Sequence, residues 1–270
     1  MIGDIRALVL TGFGLNCDIE TSYALEVAGA RAERVHLNSL VSGARKLADY
    51  QIFVIGGGFS WGDEHGAGVI LAMRLKNRLG DAILGFVDKG GLVLGICNGF
   101  QVLVNLGLLP GFQQGELKRE TALINNDCGQ FRDQWVRLGF NPSSPCVFTQ
   151  GLKTMELPVR HGEGKLFAEP DIIDRLETNN QVVMRYTLPD GKPAEGVFPH
   201  NPNGSTNDIA GICDPTGRVL GLMPHPEAFN HCTNHPHWTY RKELLRREGR
   251  SLDEEGDGIR IFRNAVRRFG

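Results

Sequence analysis

An apolar run that ends at a cysteine enclosed by glycines limits the possible folds more than any other feature of the chain. Leu92–Ile96 has the composition of a buried strand, and Gly95 and Gly99 lie two residues before and after Cys97. Small neighbours at this spacing allow a nucleophile elbow, the sharp strand-to-helix turn that holds a reactive side chain above the end of a strand. We therefore predict an α/β fold with Cys97 at such a turn.

Cys97 is a candidate nucleophile because a helix is expected to begin near Asn98. Unpaired backbone N–H groups and the dipole at a helix N-terminus favour a thiolate over a thiol. A cysteine in an apolar run is more often an ordinary buried residue. The elbow alone leaves both interpretations open.

A second strand-to-loop break places a histidine and a carboxylate close together in the sequence. An apolar run at residues 219–223 is followed by Pro224, His225, Pro226 and Glu227. Imidazole can accept the proton of a thiol and protonate a leaving group near neutral pH, and a carboxylate behind it fixes its tautomer. A turn must bring His225 and Glu227 together, because an extended chain does not place them on one face. An isolated surface histidine is the alternative, but the elbow in the same chain favours a Cys-His-Glu triad.

A strand at residues 50–55 leads into three consecutive glycines, Gly56, Gly57 and Gly58. Glycines at a strand end let backbone N–H groups approach a ligand oxygen. Together with the N–H of Asn98, those of Gly57 and Gly58 could form an oxyanion hole. A flexible lid is an alternative. A phosphate loop is disfavoured because the segment lacks the required spacing and the Lys-Ser/Thr pair.

Strand and helix patterns alternate in the first half of the chain, which predicts βαβ units and a mostly parallel, twisted open sheet with helices on both faces. Active residues then fall at the carboxyl ends of strands. In the second half, from Glu120, the pattern predicts several β-strands that add to the same sheet. They include a hairpin at residues 209–223, and a helix at 258–269 closes the chain. Strands are expected at residues 5–11, 32–37, 51–55 and 92–96, and helices at 19–28, 66–79, 81–89 and 98–106.

Composition indicates a cytoplasmic protein whose main partner is neither nucleic acid nor a membrane. The formal net charge is −2, and no apolar stretch reaches the length of a membrane span. The N-terminus lacks the pattern of a signal peptide. The six cysteines show no paired spacing, which fits reduced thiols. A dinucleotide-binding fold is disfavoured because Gly12-x-Gly14 lacks the third glycine of the motif.

The chain resembles the class I glutamine amidotransferases, which have a flavodoxin-like fold. Within that family it is similar to the glutaminase subunits of phosphoribosylformylglycinamidine synthase. The elbow and the His-Pro-Glu segment carry the resemblance to the family, and the remaining blocks narrow it to the purine enzyme. The blocks are residues 57–63 (GGFSWGD), 95–101 (GICNGFQ), 160–165 (RHGEGK), 201–205 (NPNGS), 209–214 (IAGICD) and 223–227 (MPHPE).

The resemblance implies that Cys97 attacks the carboxamide of glutamine and that His225, oriented by Glu227, protonates the departing ammonia. Ammonia would pass to a separate synthetase subunit that carries ATP and Mg²⁺, and a small accessory subunit is a further possible partner. No cofactor or metal is expected in this chain. The resemblance also places the strand with His161 and Glu163 beside the glutamine pocket. Gln101, on the first turn of the elbow helix, is expected either to reach that pocket or to pack.

Three features lie outside this interpretation. We expect a single amidotransferase domain over residues 1–270, with an extended segment at about 230–257 to which the resemblance assigns no role. Charges at 241–250 indicate a solvated helix or a docking site for the synthetase. The spacing of the cluster formed by His231, Cys232, His235 and His237 matches no structural zinc site, so a loop is expected there.

Three alternatives remain open at this point. The chain could be the glutaminase of another amidotransferase, or a Cys-His-Glu peptidase or small-molecule hydrolase of the same fold group. The hydrolase leaves the blocks around His161 and Asn201 unexplained. A non-catalytic subunit with a vestigial site is disfavoured by the intact Cys97, His225 and Glu227.

Overall fold

The structure of the chain is a computed structural model that describes residues 5–270, so the first four residues of the expected domain lie outside it. Most strands are short, and those at residues 6–11, 52–55 and 92–96 are largely buried. The strands are β1 (Arg6–Thr11), β2 (Arg31–His36), β3 (Ile52–Ile55), β4 (Leu92–Ile96), β5 (Ala122–Asn125), β6 (Arg132–Phe140), β7 (Thr154–His161), β8 (Glu163–Phe167), β9 (Val182–Tyr186), β10 (Ile209–Cys213) and β11 (Val219–Leu222).

Helices follow the strands of the first half and reappear near the end of the chain. They are α1 (Asp18–Val27), α2 (Leu37–Val41), α3 (Val69–Asp88), α4 (Asn98–Leu106), α5 (Pro170–Thr178), α6 (Trp238–Arg247) and α7 (Ile259–Arg267). None of these helices combines the length and the apolar character needed to cross a membrane.

Nine strands form one sheet in the order β2-β1-β3-β4-β11-β10-β9-β6-β7. The strands β2, β1, β3, β4 and β11 are parallel neighbours, whereas β10, β9, β6 and β7 continue the sheet with antiparallel pairings. The remaining pair, β5 and β8, forms a small second sheet. The prediction of a mostly parallel sheet extended by strands from the second half is therefore confirmed, including the hairpin between β10 and β11.

The strand order reverses direction between β1 and β3, because the connection through α1 leads to β2 on one side and the connection through α3 leads from β3 to β4 on the other. Right-handed crossovers put these two helices on opposite faces of the sheet. Ligands in open α/β sheets bind at the carboxyl edge beside such a reversal. The loops after β1 and β3 lie at this point of the fold.

Two element predictions require correction. The helices expected at residues 66–79 and 81–89 are one continuous helix, α3, because Gly80 is buried within it and its position packs against Leu117. A glycine inside a helix costs only about 1 kcal/mol, which the packing of a long helix can offset. The single strand that was expected to carry both His161 and Glu163 is two strands, β7 and β8. The chain changes sheets at Gly162.

The extended segment at residues 230–257 packs beside β6 and β7. The ring of His235 lies 4.5 Å from that of Trp135 on β6, and its Nε2 lies 3.3 Å from the carboxylate of Glu156 on β7. Arg241 of α6 pairs with the same carboxylate. None of the residues of α6 is buried, as expected for a solvated helix.

Candidate active site

Cys97 lies between β4 and α4 in a backbone conformation that few residues adopt. Its φ is 51° and its ψ is −104°, and the residue is only 5% exposed. Gly99 allows this turn because a Cβ there would lie 1.8 Å from the carbonyl oxygen of Ile55 on β3. The first turn of α4 can therefore approach the sheet closely enough to form the elbow. The strained conformation is typical of a functional turn.

His225 and Glu227 form a buried hydrogen-bonded pair. The Nδ1 atom of His225 lies 2.6 Å from Oε1 of Glu227, and the two residues are 3% and 1% exposed. A single 3-10 turn at Pro226–Ala228 supplies the bend that an extended chain lacks. The backbone N–H of His225 donates to the carbonyl of Pro158 on β7 over 2.8 Å, which fixes the start of this turn.

The surroundings of His225 favour its charged form. Burial by itself lowers the pKa of the imidazole, but the carboxylate of Glu227 and then the thiols of Cys97 and Cys17 raise it, so that the pKa lies well above its ordinary value. Since Nδ1 faces Glu227, Nε2 is the nitrogen left for exchange of a proton with a thiol. The arrangement fits an imidazole that can act as an acid or a base at this site.

The triglycine loop after β3 passes directly beside the imidazole. A Cβ at Gly57 would lie 2.7 Å from Cε1 of His225 and 3.1 Å from Sγ of Cys17. No side chain larger than hydrogen fits there without moving the imidazole. The loop that was predicted to supply oxyanion donors at Gly57 and Gly58 thus lies beside His225.

Cys17, in the loop after β1, was not identified as a site residue from the sequence. The backbone N–H groups of Asn16 and Cys17 both donate to the carbonyl of Gly57, over 3.1 and 3.3 Å. This contact carries the loop after β1 into the site. Burial raises the pKa of the Cys17 thiol, although hydrogen bonding to His225 opposes the increase.

A chain of amide and carboxylate groups leads from the elbow to the start of β8. Nδ2 of Asn98 lies 3.0 Å from Oε1 of Gln101 and 3.3 Å from Oδ1 of Asp63, and Nε2 of Gln101 donates to the carbonyl of Glu163 over 2.5 Å. The carboxylate of Glu163 accepts from the N–H of Ala67. Burial and then the charge of Glu163 raise the pKa of Asp63 to about 6. Gln101 thus reaches the segment that borders the expected pocket.

His161 is buried, and its surroundings favour the neutral imidazole. It is 2% exposed, and its Nδ1 lies 3.1 Å from Oδ1 of Asn126. Burial, with a smaller contribution from His225, lowers the pKa of His161 to about 3. A neutral imidazole at this position avoids placing a second positive charge beside His225.

The cluster at residues 231–237 does not form a metal site within residues 5–270. Nδ1 of His231 bonds to the hydroxyl of Thr233, and Nε2 of His235 pairs with Glu156. The loop interpretation of this segment therefore agrees with the structure.

Comparison with known proteins gives consistent matches over nearly the whole chain. The family model described as a CobB/CobQ-like glutamine amidotransferase domain matches residues 4–269. A relative from Dehalococcoides mccartyi is 46% identical over 263 residues, which cover 97% of each chain. A relative from Methanococcus maripaludis is 43% identical over 267 residues, which cover 98% of this chain and 97% of the relative. Both relatives are named phosphoribosylformylglycinamidine synthase subunit PurQ.

Solved structures give the same fold. A chain in the structure of PurLQS from Thermotoga maritima matches with a TM-score of 0.68 and 29% identity, covering 99% of this chain and 100% of that one. A glutamine amidotransferase from the same organism matches with a TM-score of 0.53 and 16% identity, covering 98% of each chain. The latter similarity concerns the fold alone.

Proposed function

The chain belongs to the family of CobB/CobQ-like glutamine amidotransferase domains, and we propose that it is the glutaminase subunit of phosphoribosylformylglycinamidine synthase in purine biosynthesis. It hydrolyses glutamine to glutamate and ammonia. The observation that carries this function is the buried His225–Glu227 pair, 2.6 Å apart, beside the strained elbow of Cys97. The names of the PurQ relatives, which align over nearly their full length, support the assignment to the purine enzyme.

In the proposed mechanism, the thiolate of Cys97 attacks the side-chain carbonyl carbon of glutamine. The backbone N–H groups of Gly57, Gly58 and Asn98 hold the developing oxyanion. The imidazolium of His225 donates its proton to the leaving nitrogen, so that ammonia departs and a γ-glutamyl thioester remains. Neutral His225 then accepts a proton from water, which cleaves the thioester to glutamate and restores the thiolate.

Three further side chains are proposed to bind glutamine. Gln101 and Glu163 are held by the network that begins at Asn98, and His161 presents a neutral ring beside the catalytic imidazole. Because hydrogen bonds fix these polar groups in place, they can hold the substrate in one orientation.

The proposal includes partners that supply the rest of the reaction. A PurL-like synthetase subunit with ATP and Mg²⁺ would consume the ammonia, and a small PurS-like subunit is a further proposed partner. The PurLQS structure supports this arrangement. The same proposal places the protein in the cytoplasm as one amidotransferase domain with no resident cofactor or metal needed for catalysis. The six free cysteines favour a reducing compartment.

The decisive experiment is release of glutamate from glutamine in the presence of the synthetase from the same source, formylglycinamide ribonucleotide and ATP. The wild type should release glutamate. Cys97→Ala should lower this by about 10⁴-fold or more while ammonia-dependent turnover of the complex continues. Cys128→Ala is the matched control, because Cys128 is exposed and distant in sequence from the elbow. Glutamine-dependent turnover retained in Cys97→Ala would refute the nucleophile. No release with an ammonia-competent synthetase would favour another hydrolase.

A further inference from the structure

The catalytic pair has a third neighbour that the proposed glutaminase mechanism does not use. One donor atom each from Cys17, His225 and Glu227 lie within 4.8 Å of one another. Cys17 arrives from the loop after β1, which is bonded to the carbonyl of Gly57 in the loop after β3, while the other two residues follow β11. The thiol is therefore placed by the fold and not by chance proximity in the sequence.

One donor atom of this group is buried without a partner or a role in the proposed mechanism. Oε2 of Glu227 makes no hydrogen bond within residues 5–270, and the residue is only 1% exposed. Buried polar atoms without partners are rare and point to a ligand or to a functional role. The thiol of Cys17 donates weakly to Oδ1 of Asn16 over 3.4 Å and is half-buried. The side facing Cys17 thus gives a ligand access from solvent.

The three donors match one class of ligand. A thiolate, an imidazole and a carboxylate are ligands of Zn²⁺, whereas Mg²⁺ prefers oxygen alone. Tetrahedral Zn²⁺ bonds of roughly 2.0–2.3 Å require donor atoms that are about 3.3–3.7 Å apart. The donor atoms of the three residues lie within 4.8 Å of one another, and the 2.6 Å hydrogen bond between Nδ1 of His225 and Oε1 of Glu227 must open for both of these atoms to bind the metal. Three protein ligands leave a fourth position for water or for the nucleophile.

We propose that Cys17, His225 and Glu227 form a binding site for Zn²⁺ and that zinc bound there stops the glutaminase reaction. The metal engages the imidazole and the carboxylate that glutamine hydrolysis requires, so turnover and metal occupancy exclude each other. The thiol of Cys17 and the imidazolium of His225 each lose a proton when the metal binds, so binding releases protons. The inhibition rests on the proposed glutaminase activity, whereas the metal binding does not.

Cobalt absorption tests the metal site without any use of glutamine. The reduced protein is freed of metal by chelation and titrated with Co²⁺, which reports thiolate coordination by a charge-transfer band in the near ultraviolet. The wild type and Cys97→Ala should both develop the band, and zinc should abolish it. Cys17→Ser should lose it. Cys232→Ser is the matched control, because Cys232 lies beside His231 in the other cysteine-histidine cluster, and it should keep the band.

Two outcomes would overturn the proposal. A band that persists in Cys17→Ser and vanishes in Cys97→Ala would place the metal on the nucleophile without Cys17. A band that vanishes in Cys232→Ser would place it at residues 231–237. Either result leaves the glutaminase assignment untouched.

Zinc inhibition of glutamate release is the second test, made with the complete complex. Each variant is compared with its own activity in EDTA, and the synthetase is checked separately with ammonia. Cys17→Ser should require at least about tenfold more free zinc for half-inhibition than the wild type, because loss of a ligand weakens metal binding at least as much as loss of an outer-shell contact. Equal sensitivity of Cys17→Ser and the wild type would refute the inhibitory site. Absence of glutamate release in EDTA would instead refute the proposed function.

Discussion

Nδ1 of His225 lies 2.6 Å from Oε1 of Glu227, although the two residues are separated by a proline and belong to a segment that begins as a strand. The 3-10 turn at Pro226–Ala228 makes the contact possible. Proline suits the first position of this turn because its φ is already fixed near the helical value. The His-Pro-Glu sequence therefore encodes the geometry of the pair and not only its chemistry.

Glu227→Gln should lower kcat for glutamine by about 10²- to 10⁴-fold, because the amide neither fixes the tautomer nor stabilises the imidazolium. Glu227 raises the pKa of His225, so its replacement lowers that pKa. The imidazolium then loses its proton at lower pH, and the alkaline limb of the kcat/KM profile should move to lower pH. Steady-state kinetics between pH 6 and about pH 10 measures both effects. An unchanged alkaline limb would assign that limb to another group.

Gly57→Ala should reduce glutamate release by about 100-fold or more while the protein remains folded. The added methyl group would lie 2.7 Å from Cε1 of His225 and must displace the imidazole. Displacement of a catalytic group by about 1 Å commonly has an effect of this size. Circular dichroism checks the fold.

Gly85→Ala is the control for this variant, because Gly85 lies in α3 with no atom near the position of its Cβ. It should keep full activity and gain up to about 1 kcal/mol in the free energy of unfolding. Full activity in Gly57→Ala would show that the imidazole can move without loss of function.

His161 should make the protein sensitive to acid. Its folded pKa of about 3 lies below the ordinary value of 6.5, so the unfolded chain binds the proton first as the pH falls. The stability that neutral His161 provides is complete above about pH 6.5 and is lost as the pH decreases towards 3. At pH 4.5, His161 accounts for a loss of about 2–3 kcal/mol in the free energy of unfolding. Urea unfolding at pH 7 and 4.5 should show a smaller loss for His161→Asn than for the wild type. Equal losses would contradict the prediction.

Trp135→Ala should destabilise the protein more than Arg241→Ala, although both residues hold the segment at 230–257. Trp135 packs edge-on against Phe229 and His235, with ring centroids 5.1 and 4.5 Å away, and its removal should cost about 2–3 kcal/mol. The side chain of Arg241 is 34% exposed, so loss of its ion pair with Glu156 should cost less than about 1 kcal/mol. Urea unfolding of both variants decides this order, and the reverse order would identify the ion pair as the main anchor.

Local patterns in the sequence predicted the fold and the contact between His225 and Glu227. The buried strand β4, the glycines around Cys97 and the His-Pro-Glu turn are each defined within about ten residues, so spacing alone indicates their conformation. The same approach divided α3 at Gly80, because packing against Leu117 is not visible in the local pattern. It also joined β7 to β8, because only partner strands reveal a change of sheet.

Cys17 could not be placed from the sequence because its position depends on long-range contacts. The hydrogen bonds that bring it to the site join the loops after β1 and β3, which are about 40 residues apart in the chain. An asparagine and a cysteine before a helix look like an ordinary turn. The one available signal was that both loops follow parallel strands on either side of the point where the strand order reverses.

The carbonyl of Pro158 that receives the N–H of His225 belongs to β7, the last strand of the sheet. A terminal strand exposes unpaired backbone groups to which another chain can add a strand. The loop that carries His225 occupies part of that edge. The proposed reaction and the resistance of the protein to self-association therefore both depend on this loop. A change that swings this loop away should therefore produce not only an inactive protein but also one prone to aggregation.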